Sequence, residues 1–251
     1  MIALITGATS GIGKASAEIF AKNGYDLIIT GRRTGRLEEL GGALEKQYKV
    51  KVCKLDFDIR KLSEVKKNIG SLSATFKNID VLVNNAGLAS GLSTIQDGDI
   101  EDWEKMIDTN IKGLLYITKE VANLMIPRKQ GHIINVGSVA GKEVYANGNV
   151  YCATKHAVDA LNKSMRIDLL QHNIKVSGIH PGMVETEFSL VRFHGDEEKA
   201  KKVYQGLKPL TGEDIAEAIF WMANRPANVN INDMIIMPTA QGNATTTVRK
   251  S

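Results

Sequence analysis

The sequence predicts an α/β fold, a single domain built on a doubly wound sheet of about seven parallel strands with helices on both faces. Three observations predict it. Short apolar runs alternate with longer stretches of helical period along all 251 residues, and that order favours right-handed β-α-β crossovers with parallel strand neighbours. A glycine-rich turn follows the first apolar run directly. No internal repeat or low-complexity segment points to another architecture, and 43% hydrophobic content suffices for one large core.

Strands are expected at 2–6, 26–30, 50–55, 80–83, 132–136, 174–179 and 233–237, with helices between them. The first, Ile2-Ala3-Leu4-Ile5, runs into Thr6-Gly7-Ala8-Thr9-Ser10-Gly11-Ile12-Gly13, after which Ala15, Ala17, Ile19 and Phe20 fit one face of a helix. Such a strand, turn and helix is a Rossmann-type beginning. Glycine allows unusual backbone angles and lets a pyrophosphate approach bare amides at the positive end of a helix. Gly7, Thr9, Ser10, Gly11, Ile12 and Gly13 are therefore candidate dinucleotide contacts. Their Gly-x3-Gly-x-Gly spacing differs from the commonest Gly-x-Gly-x2-Gly fingerprint, and ordinary tight turns use glycines in the same way.

The second strand, Asp26 to Thr30, is followed by Gly31-Arg32-Arg33. An acid there would hold the adenosine ribose of NAD, whereas arginines accommodate a 2′-phosphate, so the predicted cofactor is NADP. The alternative is two surface arginines opening the helix that carries Leu37 and Leu40. Further along, Val81-Leu82-Val83 ends in Asn84-Asn85-Ala86-Gly87, and Ile133-Ile134-Asn135-Val136 ends in Gly137-Ser138. Ser138 thus lies at the carboxyl end of a strand, where ligands of open α/β sheets gather. Tyr151 and Lys155 stand four apart on a helix and share a face. A neighbouring ammonium favours the phenolate of a group whose ordinary pKa is about 10, which would make Tyr151 a proton carrier near neutrality. Taken alone, Tyr-x3-Lys is also a chance pair on a solvated helix.

In order along the chain, Thr-Gly-x3-Gly-x-Gly, Asn-Asn-Ala-Gly, Ser138, Tyr-x3-Lys and Pro181-Gly182 resemble the short-chain dehydrogenase/reductase family, from Met1 to about Val229. The resemblance implies that Tyr151 exchanges the hydroxyl proton and Ser138 holds the substrate oxygen. It implies further that Lys155 binds the nicotinamide ribose and lowers the tyrosine pKa, while Asn110 completes a proton relay through water. Asp56 and Phe57 would flank the adenine, Thr186 would bond the carboxamide, and Asn84, Ala86, Gly87, Pro181, Gly182 and Val184 would complete the cofactor surface. The hydride chemistry itself belongs to the cofactor.

Thr186-Glu187-Phe188-Ser189 with Val191-Arg192-Phe193, and shorter matches at 85–89, 101–103, 148–151 and 229–232, resemble the branch of NADP-dependent 3-hydroxy acid dehydrogenases. Its implied substrates are serine, allo-threonine and acids like 3-hydroxypropionate. Some members carry a Gly-Gly pair and one extra residue where this chain has Glu185, so the lid expected at about 183–210 can differ in backbone. Arg192 is a candidate for the substrate carboxylate, which a guanidinium binds bidentately; the other reading pairs it with Glu187 or Asp196. A 3-oxoacyl-carrier-protein reductase or general carbonyl reductase, and a non-catalytic NADP-binding regulator, are the alternative functions.

Composition narrows the partners. A net charge of +4 from 32 basic and 28 acidic residues, without a stripe of basic and aromatic residues, predicts no nucleic-acid partner. No apolar run approaches the ~20 residues of a membrane helix. Cys53 and Cys152 form neither a metal cluster nor a disulfide framework, so no metal and a reducing, cytoplasmic location are expected. His180 is expected to be structural. In the family a four-helix interface forms tetramers, and here it would use the helical stretches 101–126 and 150–171. Leu114, Leu115, Ile117, Val121, Leu124, Ala157, Leu161 and Met165 would supply the apolar surface, unless core packing already consumes them. The tail from Gly242 to Thr247 is expected to be mobile or wrapped on a neighbouring subunit.

Overall fold

Strands buried on both faces need apolar side chains at every position rather than at alternate ones, and the central runs Ile2–Ile5, Leu27-Ile28-Ile29 and Val81-Leu82-Val83 meet that requirement, whereas the edge strands carry Lys54, Asp56 and Asp233. The computed structural model describes residues 1–250. In chain order the elements are β1 (Ile2–Ile5), α1 (Gly11–Lys22), β2 (Asp26–Gly31), α2 (Thr34–Tyr48), β3 (Val52–Asp56), α3 (Leu62–Gly70), β4 (Val81–Asn84) and α4 (Ile100–Ile107). They continue with α5 (Leu114–Met125), β5 (Gly131–Val136), α6 (Asn149–Asp168), β6 (Ile174–Pro181), α7 (Phe188–Arg192), α8 (Glu197–Tyr204), α9 (Gly212–Ala223) and β7 (Asp233–Ile236). Every expected strand is present, with ends shifted by no more than two residues. All pairings are parallel, in the order β3-β2-β1-β4-β5-β6-β7.

The alternation of side chains divides each strand between two cores. Leu4, Ile28, Leu82 and Ile133 pack with Ile117, Val121 and Met125 of α5 and with Val158 and Met165 of α6. Ala3, Ile5, Leu27, Ile29 and Val83 pack on the other face with Phe20 of α1, Leu37 and Leu40 of α2, and Ile215 and Ile219 of α9. Phe20 meets Tyr25 and Phe220 edge to face, with centroids 5.0 and 5.3 Å apart. The expected interface residues Leu114, Ile117, Val121 and Met165 are buried in the monomer's own core, with Leu124 and Leu161 packed against it. Leu115 is left exposed.

Two expectations need correction. The stretch 101–126 is not one regular helix: α4 and α5 are joined by a π turn, Asp108–Gly113, which holds Asn110. The tail segment 242–247 lies against its own chain, where Ala244 N donates to Glu143 Oε2 at 2.9 Å; beyond it Lys250 N donates to Gly206 O at 2.7 Å and Arg249 Nη2 to Val203 O at 3.0 Å. No helix among the described residues is long and apolar enough to cross a membrane.

Candidate active site

The strand order reverses direction between β1 and β4, and a cleft of about 590 Å³ opens at the carboxyl ends of the strands there. Its floor begins with the glycine turn. Gly7 and Gly11 have φ of +66° and +52°, and a Cβ on Gly7 would come within 3.0 Å of Ala86 Cα. Thr9, Ser10, Gly11 and Ile12 line the cleft with Gly7, whereas Gly13 does not. A Cβ on Gly13 would strike the Gly7 carbonyl and the Asn85 amide, so this glycine permits the close approach of α1 to the turn. A bare backbone cradle at a helix N-terminus suits a pyrophosphate.

The turn after β4 is lashed to β1 through Thr6. Its Oγ1 accepts from Asn85 N at 3.0 Å and from Ala86 N at 2.9 Å. Ala86 and Gly87 face the cleft, and Asn85 does so in place of Asn84. The Asn84 amide is buried instead, donating to Thr118 Oγ1 at 2.8 Å and Asn135 Oδ1 at 2.9 Å. A strand's two-residue period turns neighbouring side chains in opposite directions, which a doubled asparagine conceals in sequence. Phe57 lines the cleft beside Asp58, while Asp56 lies outside its lining and accepts a hydrogen bond from Thr34. Both Arg32 and Arg33 line it.

Ser138 caps the short turn after β5, its Oγ accepting from Ala140 N at 3.1 Å, and it shares the cleft wall with Tyr151 and Lys155 of α6. Tyr151 is 8% exposed and Lys155 6%. Lys155 Nζ donates to Val136 O at 3.0 Å and stands 6.0 Å from the Tyr151 ring centroid. Burial, with the Tyr145 phenol adding to it, pushes the Tyr151 phenol up, against the opposing influence of Ser138 and Arg192. Burial also brings the Lys155 ammonium down to about 8. Lys155 is not among the groups that lower the Tyr151 phenol here; loss of hydration is the largest influence on both groups.

Asn110 is outside the cleft lining. Its Nδ2 donates to Leu88 O at 2.8 Å and Thr154 Oγ1 at 3.0 Å, and its Oδ1 accepts from Leu88 N at 2.9 Å. The amide is a brace between the π turn, α6 and the segment after β4, rather than a group free to relay protons from its side chain.

Pro181, Gly182, Val184 and Thr186 lead from β6 into the lid along the cleft. The lid consists of α7 and α8, joined where Ser189 Oγ and Tyr204 Oη lie 2.7 Å apart. Arg192, at the end of α7, places its Cζ 5.1 Å from the Tyr151 ring centroid and hydrogen-bonds Tyr145 Oη. Neither carboxylate proposed as its partner is available. Glu187 is held by Arg33 and Arg36, and Asp196 by Lys199. Among the described residues, buried Arg192 Nε has no hydrogen-bond partner. Sequence reasoning missed Tyr145 and Thr6; Thr6 stood within the quoted glycine motif, but nothing in spacing announces Tyr145.

A profile of short chain dehydrogenases matches residues 1–196. The chain belongs to the short-chain dehydrogenase family. It is 48% identical over 252 residues to the NADP-dependent 3-hydroxy acid dehydrogenase YdfG of Salmonella typhi, covering all of both chains. Among solved structures it is similar to the closed form of a serine dehydrogenase complexed with NADP+, at 46% identity, full coverage of both chains and a TM-score of 0.93. It is also similar to serine dehydrogenase from Escherichia coli, at 41% identity over 96% of this chain and 100% of the other, with a TM-score of 0.83. In this short-chain dehydrogenase Ser138, Tyr151 and Lys155 line one cleft.

Outside the cleft, Asp159, His180 and Asp233 converge. Lys142 Nζ already supplies a cation there, 2.6 Å from Asp159 and 3.5 Å from Asp233, and His180 Nε2 bonds Asp233 at 2.9 Å.

Proposed function

We propose that the chain is an NADP-dependent oxidoreductase acting on the 3-hydroxyl of small 3-hydroxy acids such as serine, allo-threonine and 3-hydroxypropionate. One observation carries the choice of acids. Arg192, a guanidinium with a buried unpaired Nε, lies over Tyr151, and the nearby acids Glu187 and Asp196 are engaged elsewhere. A substrate carboxylate is the missing partner that such a cation favours. The named relatives act on substrates of this class, and their NADP dependence agrees with Arg32 and Arg33 on the cleft wall.

Bound NADP would supply the hydride acceptor at C4 of its nicotinamide. The glycine turn would hold its pyrophosphate, Arg32 and Arg33 its 2′-phosphate, Phe57 its adenine and Lys155 the nicotinamide ribose. Ser138 Oγ would hold the substrate hydroxyl oxygen while Tyr151 Oη takes its proton. The raised phenol stays protonated near neutrality, so it holds the proton that the reverse reaction returns to the substrate oxygen; for oxidation, positive charge at Lys155, Arg192 and the oxidised ring favours the phenolate. Asn110 would reach a relay water through its main chain, its side chain being engaged. Tyr145 would orient Arg192 toward the carboxylate. The chain would act as a homotetramer in the cytoplasm, with Leu115 on α5 in the contact.

The test follows NADPH formation with serine, allo-threonine, 3-hydroxypropionate and 3-hydroxybutyrate, using NAD and Tyr151→Phe protein as controls. Tyrosine-dependent reduction of NADP is expected. Silence with every acid, together with turnover of a 3-oxoacyl thioester or a neutral carbonyl, would replace this reading by the reductase.

A further inference from the structure

We propose that Glu187 is a positioning residue that fastens the lid to the arginines of the 2′-phosphate site, so that cofactor retention and placement of Arg192 over Tyr151 depend on one carboxylate. The inference rests on the NADP reading above. Glu187 immediately precedes α7. Its Oε2 accepts from Arg33 Nη1 at 2.7 Å and its Oε1 from Arg36 Nη1 at 2.7 Å, contacts that bridge 154 and 151 positions of sequence. Arg33 directs its other donors to the glycine turn: Nε and Nη2 to Thr9 Oγ1 at 3.1 and 2.8 Å, and Nη2 to Ser10 Oγ at 2.8 Å. One guanidinium therefore rivets the pyrophosphate turn to the lid.

The root of the lid rests on the same turn, since a Cβ on Gly11 would come 3.1 Å from the Thr186 side chain. The far end of α7 is fastened separately. Gly91 N donates to Arg192 O at 2.9 Å, and His194 Nε2 lies 3.1 Å from Asp102 Oδ2. Phe188 and Arg192 are suspended between these anchors, with the Phe188 and Tyr151 ring centroids 5.6 Å apart. Of the two anchors, only Glu187 grips residues on the cofactor side.

Charge explains why the carboxylate and a phosphate can share this cluster. Arg32, Arg33 and Arg36 carry three positive charges, Glu187 one negative charge and a phosphate monoester about two near neutrality. Arg32 makes no hydrogen bond with another described side chain and is left for the phosphate, while Arg36 serves the lid alone. The pairs are about two-fifths exposed on the Arg33 and Glu187 side, so their strength should fall with salt.

The experiment compares full-length wild type with Glu187→Gln, Arg36→Gln, the double variant and Glu187→Asp. Hydrogen exchange of α7 and α8 is measured without cofactor, and NADPH release by stopped-flow fluorescence. Each single variant should exchange and release NADPH about threefold faster at low salt, the double variant no faster than either single one, and Glu187→Asp should recover part of the loss. The affinity for adenosine 2′,5′-bisphosphate, which engages the arginines without the nicotinamide side, should stay within about twofold. Unchanged exchange and release, additive losses, or tighter bisphosphate binding with slower release would each overturn the proposal, the last by showing that Glu187 competes with the phosphate. Wild type that does not bind NADPH would instead refute the cofactor reading, and exchange in the apoprotein would still report whether the clasp exists.

Discussion

Tyr151 sits where burial favours the proton-carrying phenol, which makes its environment as important as its identity. Replacing it with phenylalanine keeps the ring packed on Phe188 and removes only the proton carrier. We expect kcat to fall by about 10²–10⁴-fold with NADPH binding retained, measured by steady-state rates and fluorescence titration. Arg192→Gln should raise KM for 3-hydroxy acids about 10- to 100-fold, the scale of a charge-assisted pair, and change turnover of a neutral carbonyl little. A Michaelis constant for the acids unchanged by that substitution would remove Arg192 from the substrate site. At this scale Ser138, Tyr151, Lys155 and the glycines were legible because backbone and proton chemistry restrict the residue types allowed. Tyr145, Asn85 and the partners of Glu187 were not, since each depends on which way a side chain turns.

Individual elements show how local irregularity serves the site. The π turn at Asp108–Gly113 adds a residue to the helical repeat and turns Asn110 toward Leu88, with Gly113 packed near Ile59. A 3.6-residue pattern predicts a continuous helix through this region, whereas the wider turn lets Asn110 bond both Leu88 and Thr154. His132 in β5 makes a pH prediction. It is buried against Ser177 Oγ at 2.7 Å, and burial lowers its pKa from 6.5 to about 3. The unfolded chain takes up the proton below about 6.5 while the native protein does not, so its contribution to stability is present above pH 6.5 and lost as pH falls toward 3. At pH 5 the loss is about 2 kcal/mol. Urea unfolding at pH 7 and pH 5 should show a smaller difference for His132→Gln than for wild type, and equal differences would refute this assignment. The sequence marked β5 by its apolar run but carried no sign that its histidine would remain neutral.

At the scale of the whole molecule, strand order, lid and tail come together around one cleft. Gln241 accepts from Met183 N at 2.8 Å, Arg249 donates to the carbonyls of Val203 and Gln205 at the end of α8, and Thr245 and Thr247 border the opening. The tail therefore supports the lid of its own chain. Most of the apolar side chains expected at a subunit interface fill the core instead, yet Ile167 near the end of α6 and Leu170 in the turn after it remain 75% and 74% exposed, with Leu115 at 38%. Sedimentation at micromolar concentration is expected to show a tetramer, weakened by Leu115→Glu; a monomer in wild type would reject the proposed assembly.

The sequence by itself determined the seven strands, the glycine cradle, the family and the residue types at the centre of the cleft. Periodicity and backbone chemistry mark the strands and the glycine turn locally, whereas the family and the residue types at the centre of the cleft were read from the resemblance of motifs in order along the chain. Only the tertiary structure decided that Asn84 faces inward, that Arg192 answers to Tyr145 while Glu187 answers to Arg33 and Arg36, and that the tail returns to its own lid. Those outcomes depend on side-chain direction and on contacts between segments up to 154 residues apart, which no local pattern specifies.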